Sequence, residues 1–425
     1  MSHFFSRVTH GGGIGSAKLQ TLFDAEQGTP GLIDAVATKV PQIRVVMASL
    51  RESLPLVPHA GVGPIGRTGF FRIPNHYRSV SFVLPPDSTD GGTSPGVIVF
   101  KGTEPLLADF PEYFDWMLDA PFRASALPLA LHFPLDMKLP PAAMWIEECV
   151  AEQSVSSRVQ QSFLVRYGRL ARLPLPLFVF KMTPAQSERY EETIRNRLSG
   201  DAIRKIKNKL ADGLGVEVYF YPELPVRVAD LMVGNVRETF KAALGAEQVE
   251  ENFGRWMQLL AEMLCLGYMP YAPWHHGMGG CVDPGNVCID GGFNDLLTLV
   301  PFDAIPDDAL FRQSLTAGVR MLAESMTTMA AASIGVPSAG ESDGTALMMT
   351  YAIGGLRDNI CAIERNGHVV DARLRRFFDP PGVADIFQIL RNAHRTRTRP
   401  TQYVGGAEIS TALLEKAGFR AAASA

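Results

Sequence analysis

Short apolar runs punctuated by proline and glycine fill the first half of the chain, and longer runs of helical period fill the second. Five runs read as strands: Gly69–Ile73, Ser79–Leu84, Gly96–Lys101, Ser162–Tyr167 and Leu175–Met182. Each is bounded by the Pro, Gly, Asp or Ser residues that end strands. The polar stretch Pro85–Gly96 separates the second and third runs as a long hairpin connection would. Pro140–Arg158 fits a helix entered through proline. After Met182 the period changes. Thr183 stands where a helix cap would, with Pro184 in the first turn, and Asp201–Leu210 continues in helical period. Val216–Tyr221 reads as a strand interruption. Glu250–Met269 sets Phe253, Met257, Leu260, Leu264 and Leu266 near one face of an amphipathic helix, and Asp308–Ala332 is a second long helix, rich in Met and Ala. Strands followed by helices predict an α+β chain of two lobes, a strand-rich one over residues 1–182 and a mainly helical one over 183–425.

The chain has 425 residues, long enough for two such lobes, and with 46% hydrophobic and 20% charged residues it can bury a core. A net charge of -4 removes the overall electrostatic case for a nucleic-acid partner. No segment reaches the roughly 18 uninterrupted apolar residues of a membrane span, and the first residues lack the apolar core of a signal peptide, so a cytoplasmic location without membrane contact is expected. The five cysteines (Cys149, Cys265, Cys281, Cys288 and Cys361) are scattered without a CxxC pair, which predicts reduced thiols rather than a disulfide frame or a structural zinc. No repeat at solenoid or propeller period is present.

Chemistry concentrates in residues 274–303, WHHGMGGCVDPGNVCIDGGFNDLLTLVPFD. Turn propensity explains DPGN and DGG. It does not explain the order: a helix, His276-Gly277, a glycine-bearing loop, Asn286-Val-Cys-Ile, a tight turn, then Asp295-Leu-Leu.

That order resembles the catalytic segment of protein-kinase-like folds, in which a helix leads into HGD or HRD, an asparagine follows, and a metal-binding aspartate comes after a short hairpin. Aminoglycoside-phosphotransferase-type kinases carry a loop similar to HGDLHPGNVLIDGG. This chain shows His276-Gly277-Met278, Pro284-Gly285-Asn286-Val287 and Ile289-Asp290-Gly291-Gly292. Asp295-Leu-Leu-Thr298 is similar to a DLLS-like element of HipA-like kinases, and the short interval from Asn286 to Asp295 is similar to that of selenoprotein-O-type pseudokinases, which transfer AMP. The match covers little beyond this loop. The resemblance implies ATP with Mg2+ or Mn2+, Asn286 and Asp295 as metal ligands, and His276 as part of the catalytic loop. Asp303, in PFD, is the alternative second ligand. The chain departs from the pattern where a kinase holds its proton-accepting aspartate, since Met278 stands there. Asp283, three residues before Asn286, is the candidate replacement.

A kinase-like second half requires a nucleotide lid, a strand lysine and a helical glutamate from the first. Gly61, Gly63 and Gly66 form a GxGxxG string before the first strand-like run, though Pro64 removes one backbone donor and a plain loop explains it as well. Lys101 ends the third run. The helix at Pro140–Arg158 offers Glu147, Glu148 or Glu152 as its partner, and Glu148 is the choice. Leu175–Met182 would be the hinge on which adenine rests.

The resulting expectation is a two-lobed, kinase-like transferase moving phosphate or AMP to a small-molecule or protein acceptor. Three alternatives stand beside it, among them a non-nucleotide enzyme of another α+β fold in which this loop shapes an active site for other chemistry. Another is a catalytically inactive kinase-like binding scaffold, suggested by Met278. The third is a metalloenzyme in which His275, His276, Cys281 and Cys288 hold zinc or iron, although adjacent side chains on an extended segment point apart. Gly11–Lys18 lacks the GK[ST] ending of a phosphate loop, and Met321, Met326 and Met329 read as core filler.

Overall fold

The computed structural model describes residues 15–17, 19–52, 54–56, 70–71, 79–84, 96–102, 143–195, 213–223, 225–232, 237, 244–271, 280–305, 307–334 and 341–379. The chain is mixed α/β and divides into two compact units, the first running to Leu224 and the second beginning at Pro225.

In the first unit, β1 (Gly15–Ala17) pairs with β3 (Leu54–Leu56), and a seven-stranded antiparallel sheet forms the centre. Its strands are β2 (Gln20–Asp24), β4 (Phe70–Phe71), β5 (Ser79–Val83), β6 (Val97–Lys101), β7 (Met144–Trp145), β8 (Leu175–Lys181) and β9 (Leu214–Tyr221). The order is β2-β8-β9-β6-β5-β4, with β7 also on β9. Strands β4, β5 and β6 form a meander, and β9 lies between β6 and β8. All eight residues of β9 are buried, as a strand covered on both faces requires. Helices α1 (Ala25–Gly28), α2 (Pro30–Ala37) and α3 (Gln42–Glu52) follow β2. Arg51 of α3 reaches back to Asp24 with Nε–Oδ2 at 2.6 Å and Nη2–Oδ1 at 2.9 Å.

Helix α4 (Ile146–Tyr167) packs on β8 and β9. The close approach is made at Gly215, where a Cβ would meet Cys149 Sγ and Ile146 Cδ1 at 2.8 Å. The helix absorbs Ser162–Tyr167, for which the sequence predicts a strand. Val159 and Phe163 bury one turn apart on the face that carries Cys149 and Val155, and Gly168 ends the helix with φ of 64°. Gln160 ties down the chain beyond, donating to Leu173 O at 2.9 Å and accepting from Ala171 N–H at 3.0 Å. Helix α5 (Pro184–Arg195) opens as expected. The Thr183 N–H donates to Gln186 Oε1 at 2.8 Å and Gln186 N–H returns to Thr183 Oγ1 at 3.4 Å, a reciprocal cap. The predicted helix at Asp201–Leu210 lies outside the described residues.

The boundary expected after Met182 moves to Leu224, because the chain returns to the sheet as β9 before it leaves. The hinge role expected of Leu175–Met182 therefore does not suit it: β8 is an inner strand flanked by β2 and β9, and β9 is the last to precede the second unit.

The second unit is mainly helical, with α6 (Ala246–Cys265), α7 (Asp308–Ile334), α8 (Glu341–Arg365) and α9 (Ala372–Phe378). Helix α6 buries one face in its first half through Val249, Phe253, Trp256 and Met257, and every residue from Leu259 to Cys265. Helix α8 meets α6 at Gly355, where a Cβ would strike Met257 Cε at 2.7 Å. Met326 and Met329 of α7 are fully buried, the core role expected of them. Strands β10 (Tyr268–Met269) and β11 (Val300–Pro301) pair antiparallel and close the base of the loop between them. Among the described residues no helix is long and apolar enough to cross a membrane.

Candidate functional site

The loop between β10 and β11 carries the residues that the sequence singles out. Within it the backbone doubles back as a tight hairpin: Val287 bridges Phe293, Cys288 N–H donates to Gly292 O at 2.8 Å, and Gly291 turns the chain with φ of 95°. Asn294 N–H donates to Asn286 O at 2.8 Å, so Asn286 and Asp295 leave opposite arms at the open end of the hairpin.

Helix α6 holds the closed end. The Trp256 Nε1–H donates to Cys288 O at 2.8 Å, Asn252 Nδ2 donates to Ile289 O, and Arg255 Nη1 donates to Asp290 O at 3.2 Å. Three consecutive carbonyls are thus bound by one helix. From α7, the Ser325 hydroxyl donates to Val282 O at 2.7 Å. The segment Val226–Ala229 runs alongside, with Ile289 N–H donating to Val226 O at 2.9 Å, Val228 N–H to Val287 O at 2.8 Å and Ala229 N–H to Pro284 O at 2.8 Å. These ties satisfy a buried loop's backbone and fix its shape.

From Gly280 to Val300 every residue is buried except Asp283, Gly285, Asn286 and Asp295, which are partly exposed. The exposed positions are therefore the two proposed metal ligands, the proposed proton carrier and the glycine beside it. Asp283 Oδ1 accepts from Gly285 N–H at 2.7 Å, and no donor among the described residues occupies Oδ2. Asn286 Nδ2 donates to Gly280 O at 3.1 Å, which orients the amide, and among the described residues no donor meets its Oδ1. Asp295 Oδ1 accepts from Leu297 N–H at 3.0 Å. Desolvation pushes the Asp283 carboxyl up to about 7; Asp295 and Glu324 add to the rise, while the Gly285 N–H and Arg227 oppose it. Burial, with Asp295 and Asp283 nearby, also holds the Cys281 thiol well above its ordinary range.

Asp303 is exposed on the turn after β11 and is not among the charges that act on Asp283. Among the described residues no three His, Cys, Asp or Glu side chains converge to hold a metal by themselves. His275, His276, Gly277 and Met278, and likewise Gly61, Gly63 and Gly66, lie outside the described residues.

In the first unit Lys101 is 5% exposed and ion-paired, with Nζ 2.6 Å from both Oε1 and Oε2 of Glu152, itself 2% exposed. Lys101 faces Glu217 across the β6–β9 ladder, and Gly215, two residues from Glu217 and so on the same face, lies beneath Cys149 and Ile146 of α4. That places the lysine under the helix. The glutamate it meets is Glu152, one turn beyond Glu148; Glu148 is buried on the same helix. Helical spacing alone leaves that choice open, because 148 and 152 share a face. The sequence reading also misses Arg227 and Glu324, which lie far along the chain from the loop whose charges they influence.

No protein-family model, no curated protein and no solved structure matches the chain.

Proposed function

We propose that the chain is an ATP- and Mg2+-dependent transferase that moves phosphate or AMP to an acceptor hydroxyl on a small molecule or protein. The observation that carries this reading is the Lys101–Glu152 pair. A lysine ending the third strand of an antiparallel meander is bound by a glutamate of the next described helix, as in the lysine–glutamate pair by which protein kinases hold ATP phosphates. The loop of the second unit supports it independently, through the Asn286 and Asp283 oxygens that meet no donor among the described residues and the carboxylate of Asp295.

Mg2+ takes one or two protein oxygens and fills its remaining positions with phosphate and water. Asn286 and Asp295 suit that requirement. Bound there, the ion would neutralise charge on the phosphates. The acceptor oxygen attacks phosphorus, its bond to the leaving ADP or pyrophosphate oxygen breaks, and the acceptor proton passes to Asp283 Oδ2. A carboxyl balanced near pH 7 takes up and releases a proton readily. In the first unit Glu152 holds the Lys101 ammonium in place, the arrangement that in protein kinases offsets charge on nucleotide phosphates.

Incubation with ATP labelled at the γ- or α-phosphate separates the two transfers by which label reaches the acceptor. Nucleotide binding without transfer of either would favour an inactive binding scaffold, the reading that Met278 motivates. Absence of MgATP binding would remove both.

A further inference from the structure

We infer that Arg227 is a further substrate-contacting residue of the loop site, presenting its guanidinium to the phosphate oxygens of a nucleotide held at Asn286 and Asp295. This rests on the nucleotide-transferase reading above. Three backbone hydrogen bonds fix the strap that carries Arg227 to the catalytic loop, from Ile289 to Val226, from Val228 to Val287 and from Ala229 to Pro284. Arg227 itself stands opposite Cys288, and its N–H is held by Asp230 Oδ2 at 2.7 Å. Val226 and Val228 are fully buried while Arg227 between them is partly exposed, so the alternation turns this side chain away from the core. Its positive charge reaches Asp283, against the negative charges of Asp295 and Glu324.

The chemistry needs such a group. Asp283, Asp295 and Glu324 alone would repel a triphosphate, whereas a guanidinium stays charged at any working pH and offers two parallel donors to a phosphate. Simple charge compensation of Asp283 is the competing role, and the two predict different signs. A cation beside carboxylates opposes a bare metal ion but attracts a metal-bound nucleotide.

The test compares wild type, Arg227→Gln and Arg227→Lys by titration with MgATP and, separately, with Mn2+ alone. For Arg227→Gln the inference expects MgATP affinity to fall roughly tenfold to a hundredfold, with Mn2+ binding unchanged or tighter. Arg227→Lys keeps the charge without the planar fork and should lose severalfold in MgATP affinity. Unchanged MgATP affinity in Arg227→Gln, or an equal loss of MgATP and Mn2+, overturns the inference. If Arg227→Gln does not fold, wild-type affinity in Arg227→Lys overturns it. Failure of the wild type to bind MgATP sinks the transferase reading and this inference with it, and the wild-type titration identifies that case.

Discussion

Lys101 and Glu152 form a buried ion pair, Nζ lying 2.6 Å from each carboxylate oxygen, in which a strand and a helix 51 residues apart in sequence share one charge contact. Removing one partner breaks a buried, hydrogen-bonded charge pair. Glu152→Ala should therefore destabilise the first unit by about 3–5 kcal/mol in urea denaturation. Replacing both, as Lys101→Met with Glu152→Leu, should recover much of that loss while abolishing MgATP binding. A double variant that retains nucleotide affinity would assign the pair to folding alone.

The Asp283 carboxyl has an ordinary value of 3.8 and is pushed up to about 7 in the fold. The unfolded chain releases this proton near pH 4, whereas the folded chain keeps it until near pH 7. The associated stability is complete below the unfolded value and is lost as pH rises through the folded one. Asp283→Asn removes the titration, so its urea midpoint should gain on that of wild type between about pH 5 and about pH 8. A constant difference across that window would show an ordinary carboxylate. Since a bound cation favours the ionised form, Mg2+ with ATP should release protons from wild type at about pH 6.5, and Asp283→Asn should release fewer.

Trp256 and Gly291 test the rigidity of the hairpin. Trp256→Phe removes one of the two donors to Cys288 O, which keeps the Gly291 N–H at 3.1 Å, and should cost about 1 kcal/mol. Gly291→Ala places a Cβ 2.6 Å from Arg255 Cβ at a φ of 95°, and should cost about 1–3 kcal/mol from the backbone alone. Both changes lie on the side of the hairpin away from Asn286 and Asp295, so urea denaturation should register them directly and MgATP affinity should fall only as the loop loosens.

Elements that form a continuous apolar run or a long helical pattern were legible in the sequence. Strands β5, β6 and β8 and helices α6 and α7 fall within a few residues of their expected bounds. Helix α4 was only half legible, because Glu148, Glu152 and Gln160 occupy buried positions where an apolar pattern would have revealed its length. The apolar run around Phe163 then resembled a strand. The unit boundary was missed because β9 joins the sheet across the intervening helix α5, a long-range pairing that no local pattern reports. The hairpin of the candidate site was legible, since DPGN and DGG dictate turns, and Asn286 and Asp295 do leave its opposite arms. Arg227 was not, because only tertiary packing brings Val226–Ala229 alongside that loop.

The central claim is nucleotide binding, and thermal unfolding of the full chain with and without MgATP tests it most directly. A ligand at about a hundred times its dissociation constant adds roughly 2.7 kcal/mol. The wild type should show a metal-dependent rise in melting temperature that Asn286→Ala and Asp295→Ala each reduce and Lys101→Met reduces further. No shift at millimolar ATP with Mg2+, or an equal shift in all three variants, would contradict the account.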